Sequence, residues 1–323
     1  MNMKRWVACG IAVLIVGIAI PVQMFVAVMT ADFSDVFSFD QTYREEVMKT
    51  GTNGEIVVLE LDGMIEDTGS ESGFLAAGYH HRQFMEMLND AMEDPLVDGI
   101  VITMNTPGGS VVASHAIYEQ VVRAKEEFDT PVYVSMAEMA ASGGYYIAAG
   151  ADYIMAHPAT LTGSIGTVMS AGFNIADLAD EWGISETTFS SGEFKQLGSP
   201  FESLTEEESE LMQAIADDMY DDFTSIVAEG RAFSEEEVNT VAQGQLFTGN
   251  QALQNGLVDE LGDLEDTVLH MELMLDLDAT VTHYTNGSTE GSMWNVLAPL
   301  GLGAFASDKF DANRAPSLLY LHQ

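Results

Sequence analysis

Residues 140–146 read Ala140-Ala141-Ser142-Gly143-Gly144-Tyr145-Tyr146, and the reading of this stretch decides the fold. Pro131–Ala137 before it is β-branched and aromatic and is bounded by proline, which predicts a short strand. Tyr145–Gly150 after it is small and apolar, which predicts a helix. Ser142 therefore falls where a strand ends and a helix begins. A serine there points its hydroxyl out of the layer. The next amide, that of Gly143, is one of the unpaired donors of a helix start and can bind an oxyanion. The plainer reading makes Ser142 a helix N-cap.

Upstream, Gly99–Met104 is a near-continuous apolar run, as expected of a strand covered on both faces. It leads through Asn105-Thr106-Pro107-Gly108-Gly109-Ser110 into a helix from about Val111 to Glu127, with Val111, His115, Tyr118 and Val122 along one stripe. Two Gly-rich turns after consecutive strands would set their amides side by side at one sheet edge, where ligands bind in α/β folds. Glu55–Leu61 and Asp152–Ala156 read as further strands and Arg82–Met92 as a helix, while Gly69–Gly78 reads as a loop. Leu161–Gly166 is another turn, leading into the strand-like Thr167–Phe173 and a short helix over Ile175–Trp182. Thr205–Glu208 is a capping box. It opens a long helix with Leu211, Ile215, Met219, Phe223 and Ile226 on one face. Ser234–Glu237 opens the next helix, and Asn255-Gly256 stops a third. The pattern decays beyond about Thr280, and the apolar Met293–Phe305 is too short to span a bilayer.

The chain has 323 residues, 47% hydrophobic, with 51 acids against 11 bases and a net charge of −40. Such a surface repels nucleic acid, yet the apolar content is that of a folded protein with a core. A folded, strongly acidic chain fits life in very high salt, and an extreme halophile is the expected source. The single cysteine, Cys9, excludes an intramolecular disulfide and a Cys-based metal cluster. Lys4 and Arg5 precede an uncharged run from Trp6 to Met29, long enough at 1.5 Å per residue to cross about 30 Å of hydrocarbon. With bases before the run and Asp32 and Asp35 after it, the N-terminus is expected inside the cell and the rest outside. The domain reading is an anchor over 1–30, a linker over 31–52, a catalytic domain over 53–280 and a partly apolar tail over 281–323.

Lysine is scarce, with only Lys4, Lys49, Lys125, Lys195 and Lys309. A chain that has discarded lysine nearly everywhere gives weight to the one kept at 195. A serine nucleophile needs a base, and a neutral lysine amine can serve. Its reference pKa of ~10.4 must then fall through burial away from water. At molar salt the screening length is only ~3 Å, so distant acids count little. Glu193 is closer, and the backbone is expected to turn there or Glu193 to face solvent. Competing chemistries fare worse. No His-Glu-x-x-His spacing, Walker A loop or Gly-x-Gly-x-x-Gly is present, so neither a metal nor a cofactor is implied.

The ordered series Asn105–Val111, Ala140–Tyr146, Leu161–Gly166, Ser191-Gly192-Glu193-Phe194-Lys195 and Leu246–Gly262 resembles signal peptide peptidase A, a family of membrane-anchored serine/lysine peptidases in the ClpP/crotonase superfamily. The resemblance runs from about Glu55 to Leu275. It implies an α/β fold of the ClpP/crotonase type with repeated ββα units, preceded by one transmembrane helix. Ser142 and Ser164 compete as nucleophile; the family pattern selects Ser142, gives Lys195 the role of general base and Ser164 that of a polar partner to the lysine. Gly109 and Gly143 match the oxyanion amides. Asn105-Thr106 departs from the family's usual Ser at the second position and leaves the glycine amides intact. The family forms rings in which one protomer's lysine can serve another's serine, and single-length chains resemble the form built of about eight copies.

The resulting expectation is a membrane-anchored serine endopeptidase that cleaves extended apolar peptides such as signal-peptide remnants outside the cell. Its rivals are a crotonase-type acyl-CoA enzyme, which would need carboxylates at its site, and a non-catalytic membrane scaffold. The charge excess makes one prediction independent of these. Thermal melts should show Tm rising as salt is raised from dilute buffer to molar levels, because self-repulsion is then screened. A flat or falling Tm would remove the high-salt argument.

Overall fold

The structure, a computed structural model, describes residues 43–67 and 79–286. The apolar run Trp6–Met29, the loop Gly69–Gly78 and the apolar Met293–Phe305 lie outside the described residues. Among the described residues no helix is long and apolar enough to cross a membrane.

The strands are β1 (Tyr43–Lys49), β2 (Glu55–Asp62), β3 (Gly99–Thr106), β4 (Val132–Ala141), β5 (Tyr153–Ala156), β6 (Leu161–Gly163), β7 (Leu246–Thr248), β8 (Glu260–Leu261) and β9 (Thr280–Asn286). The helices are α1 (His81–Glu93), α2 (Val111–Phe128), α3 (Gly143–Ala148), α4 (Ala176–Glu181), α5 (Glu206–Gly230), α6 (Glu235–Val241), α7 (Gly249–Gln254) and α8 (Leu264–Leu275). Glu46–Tyr284 forms one compact unit. The sheet runs β1-β9-β2-β3-β4-β5-β8, and β6 branches from β4 to pair with β7. β2, β3, β4, β5 and β6 run parallel along their pairings, as strands joined by crossover helices must. This is a mixed α/β architecture consistent with a ClpP-like fold.

The central strands carry the core. Val57, Val58, Leu59, Ile100, Val101, Ile102, Val132 and Val134 are fully buried. The apolar face of α1 closes one side through Phe84, Met87, Leu88, Ala91 and Met92. Five strands escape the sequence reading: the short β6 falls in the stretch read as a turn, β7 and β8 lie where no strand is expected, and β1 and β9 are longer. β1 falls in the expected linker, and β9 lies where the pattern decays, yet β9 is an interior strand between β1 and β2. Its Thr-Val-Thr-His-Tyr stretch buries Val281, Thr282 and Tyr284 and offers no continuous apolar run. Lys49 closes this corner by donating to both oxygens of the buried Glu272 carboxylate, at 2.6 and 2.8 Å.

Three other expectations are corrected. The buried face of α2 is Ala113, Ser114, Ile117, Val121 and Ala124, not the stripe through Val111, His115, Tyr118 and Val122. Small residues win because α2 approaches α3 closely: a Cβ on Gly143 would stand 2.3 Å from Ser114 Oγ. Thr167–Phe173 forms no strand, since no sheet edge pairs with it. On α5 the expected apolar face is buried only at its C-terminal end, at Phe223 and Ile226; Leu211 and Ile215 remain more than a third exposed.

Gly230 ends α5 against α3, where a Cβ would lie 1.9 Å from the Ala149 carbonyl oxygen. Alanine gains about 1 kcal/mol of helix propensity over glycine, whereas overpacking against fixed backbone costs about 1–3 kcal/mol or more. Gly230→Ala should therefore lower Tm by about 2–6 °C. A stabilised variant in a thermal melt would show that this close approach is absent.

Candidate active site

Ser142 is set by strand pairing. The end of β4 pairs with β6, Ala140 opposite Thr162 and Ala141 opposite Gly163, and the Ser142 amide donates to the Gly163 carbonyl at 2.8 Å. Ser142 and Ser164 therefore leave adjacent strands at the same level. Both have left-handed backbones, with φ of 52° and 50°, a conformation that costs roughly 1–3 kcal/mol for a residue with a side chain. Ser110, Thr205, Ser234 and Thr248 each cap their helix through the side chain. The Ser142 hydroxyl makes no such bond to α3, so capping does not account for a serine at this strained position.

The turn after β3 meets the turn after β4. Gly108 has φ 96°, and a Cβ there would stand 2.6 Å from the Gly143 nitrogen and 2.8 Å from Ser142 Cβ. A Cβ on Gly109 would strike the Ile65 carbonyl oxygen at 2.1 Å. Ile65 grips this turn from β2's side, accepting from Ser110 N at 2.7 Å and donating to Gly108 O at 2.9 Å. The amides of Gly109 and Gly143 have no acceptor among the described residues. They are neighbours, since a Cβ on Gly143 would lie 3.3 Å from Gly109 N. Two unengaged N–H donors thus stand beside the Ser142 side chain.

These groups line one open cleft of about 580 Å³ that includes Ser142, Ser164, Gly109 and Gly143. Val168, Met219, Phe223 and Ala242 give it an apolar wall, and among the described residues no Asp or Glu lines it. Lys195 is the exception among the expected site residues. It does not line this cleft and sits exposed in a turn where its amide donates to Gly192 O at 3.3 Å. The backbone does turn at Glu193. Lys195 has no ion pair among the described residues, whereas Lys49 pairs with Glu272 and Lys125 with Asp152.

Sequence reasoning missed a polar chain behind the cleft. The Tyr146 hydroxyl donates to Asp222 at 2.6 Å and lies 2.7 Å from His115 Nδ1. Having given its one proton to Asp222, the phenol oxygen accepts from His115, which fixes the proton on Nδ1. This chain ties α3 to α2 and α5, the helix whose Met219 and Phe223 form the apolar wall. Tyr145, fully buried, locks α3 from the other side by donating to the Leu257 carbonyl at 2.8 Å. The paired tyrosines were visible in the motif; their partners, distant in sequence, were not.

The profile of Peptidase family S49 matches residues 124–278, and that of Clp protease matches residues 81–162. A putative signal peptide peptidase SppA of Enterococcus faecium is 36% identical, over 96% of this chain and 93% of that protein. A putative protease of Synechocystis is 37% identical over 68% of this chain and 73% of its own length. The chloroplastic serine protease SPPA of Arabidopsis thaliana is 29% identical over 80% of this chain and 38% of its own. The fold and these relatives define a serine-type peptidase. The chain belongs to peptidase family S49.

Burial first, and the bond to Asp222 next, hold the Tyr146 phenol protonated well above its ordinary range. A raised folded-state value gives stability that is present in full below the unfolded pKa near ~10 and is lost as pH rises toward the folded value. Tyr146→Phe should be less stable than the parent near neutrality by about 1 kcal/mol, through the two lost hydrogen bonds. It should also lose less stability than the parent between about pH 8 and 11. Urea unfolding at both pH values checks this; parallel losses would show that Tyr146 carries no alkaline linkage.

Proposed function

We propose that the chain is a serine endopeptidase in which Ser142 attacks the peptide carbonyl and the amides of Gly109 and Gly143 hold the oxyanion. The observation that carries this reading is a strained, non-capping serine beside two unengaged amides in one cleft. Removing one donor of this kind costs about 3–4 kcal/mol of transition-state stabilisation. The apolar wall at Val168, Met219 and Phe223 suits an extended apolar peptide, such as the remnant of a signal peptide. That no carboxylate is found among the described lining residues argues against an acyl-CoA enzyme on a similar fold.

Lys195 is the proposed general base, with Ser164 orienting its amine. Because Lys195 stands exposed and outside its own chain's cleft, the base is proposed to come from a second copy, whose packing removes water from the amine. The stretch bearing it is rich in exposed apolar side chains: Phe173 is 90% exposed, Phe189 94% and Trp182 69%. Apolar surface of that extent fits contact with another copy in a ring. The run Trp6–Met29 is proposed to anchor the chain with its catalytic unit outside the cell, and the excess of acids to reflect a high-salt habitat.

A fluorophosphonate should label the pure protein, and peptide mapping should place the label on Ser142. Ser142→Ala should lower kcat/KM by about 10,000-fold or more, whereas Ser164→Ala should leave a weakened enzyme. A dead Ser164→Ala beside an active Ser142→Ala would reverse the assignment.

Lys195→Arg should be inactive because a guanidinium does not deprotonate, and Lys195→Met should be inactive yet folded. Mixing inactive Ser142→Ala and Lys195→Met chains should restore turnover if serine and lysine pair between copies. An active Lys195→Arg enzyme would sink the lysine-base mechanism.

A further inference from the structure

Ser114 lies on the first turn of α2, 1% exposed, and lines the cleft beside Gly109 and Gly143. Its hydroxyl is the anomaly. A buried serine within a helix ordinarily bonds the carbonyl one turn back. Here the Ser110 carbonyl accepts from the Ser114 amide at 2.9 Å, and Ser114 Oγ has no partner among the described residues. Alanine would fit the same face without that penalty, as Ala113 and Ala124 do. The oxygen presses on the oxyanion corner: a Cβ built on Gly143 would stand 2.3 Å from Ser114 Oγ and 3.3 Å from Gly109 N. The Ser114 hydroxyl and the Gly109 amide thus stand together beside Gly143 at the positive end of an 18-residue helix.

We propose that the Ser114 hydroxyl is a third donor to the oxyanion, joining the amides of Gly109 and Gly143 only when the carbonyl oxygen is driven into this corner by the bond to Ser142. The inference rests on the reading of Ser142 as nucleophile. The Ser114 oxygen is buried just beneath the cleft surface, so it offers little to a bound, unreacted peptide. Its contribution falls on the charged intermediate, after the Ser142 oxygen has bonded to carbon and the carbonyl electron pair has moved to oxygen. The hydroxyl keeps its proton throughout; it donates a hydrogen bond and transfers nothing.

The test compares Ser114→Ala and the near-isosteric Ser114→Cys with the parent. Ser114→Ala should lower kcat about 10- to 100-fold at unchanged KM, weaken binding of a peptide boronic acid by a similar factor, and raise Tm because an unsatisfied buried hydroxyl is gone. Ser114→Cys, a weaker donor of similar size, should fall between. Unchanged kcat would overturn the proposal. So would a fall in kcat that comes with a lower Tm and a raised KM, the pattern of lost packing. Fluorophosphonate mapping on the parent separates the two readings: a label absent from Ser142 overturns the nucleophile itself, while a parent labelled at Ser142 with a fully active Ser114→Ala overturns only the third donor.

Discussion

The site depends on three parallel strands ending level. After a register shift between β3 and β4 beyond Met104, the strand ends lie side by side, with Thr106 opposite Ala140 and Ala140 opposite Thr162. Hydrogen-bonded neighbours lie about 4.8 Å apart, so the turns that follow them must crowd. Crowding explains why the turns are built of glycine. Gly108 and Gly143 nearly touch, and Gly144 lets α3 settle onto Thr106, whose Cγ2 would be 2.6 Å from an added Cβ. The tightness that forbids side chains also leaves two amides without a backbone acceptor, since no strand can reach into the corner to pair with them. Unpaired donors and a projecting serine are thus joint products of one packing constraint.

The strain in this corner is held by the surrounding contacts. Ser142 and Ser164 keep unfavourable backbones because each donates its amide to a fixed carbonyl, Gly163 for one and Gln245 for the other. Gln245 precedes β7, which pairs antiparallel with β6, so a distant segment fixes the second serine. Tyr145 and Tyr146 then brace α3 from two directions. The buried core under the central sheet supplies the stability against which a few kcal/mol of local strain can be borne.

Much of this was legible in the sequence because the decisive signals are local. The small residues around Ser142, the proline-bounded strand before it and the capping boxes at Thr205 and Ser234 each report on a few consecutive positions. Both capping boxes stand where the pattern puts them, and the strand begins as expected at Val132 but runs on past Ala137 to Ala141. What was not legible depends on contacts between distant segments. The helical spacing of Val111, His115, Tyr118 and Val122 is real, but the core side of α2 was decided by how close α3 comes, which favours Ala113 and Ser114. β9 reads as polar because threonine and histidine interleave with Val281 and Tyr284, although Thr282 is buried with them, and its place between β1 and β2 makes it a strand. Lys195 is marked by the scarcity of lysine, yet nothing in its neighbours tells that its own cleft lies elsewhere.

That scarcity has an outcome for chemical modification. Of the described lysines, Lys49 is clasped by Glu272 and Asp278, and Lys125 by Asp152 and the Gly150 carbonyl. Lys195 alone among them stands exposed without a carboxylate partner. A side chain clasped in hydrogen bonds and ion pairs is less free to reach a reagent. An acylating or reductively alkylating reagent therefore meets in the catalytic unit one amine far more available than the rest. Among the described residues the isolated chain therefore presents one unpaired lysine for covalent attachment of a dye, a spin label or a crosslinker, and a second copy packed over it would shield it.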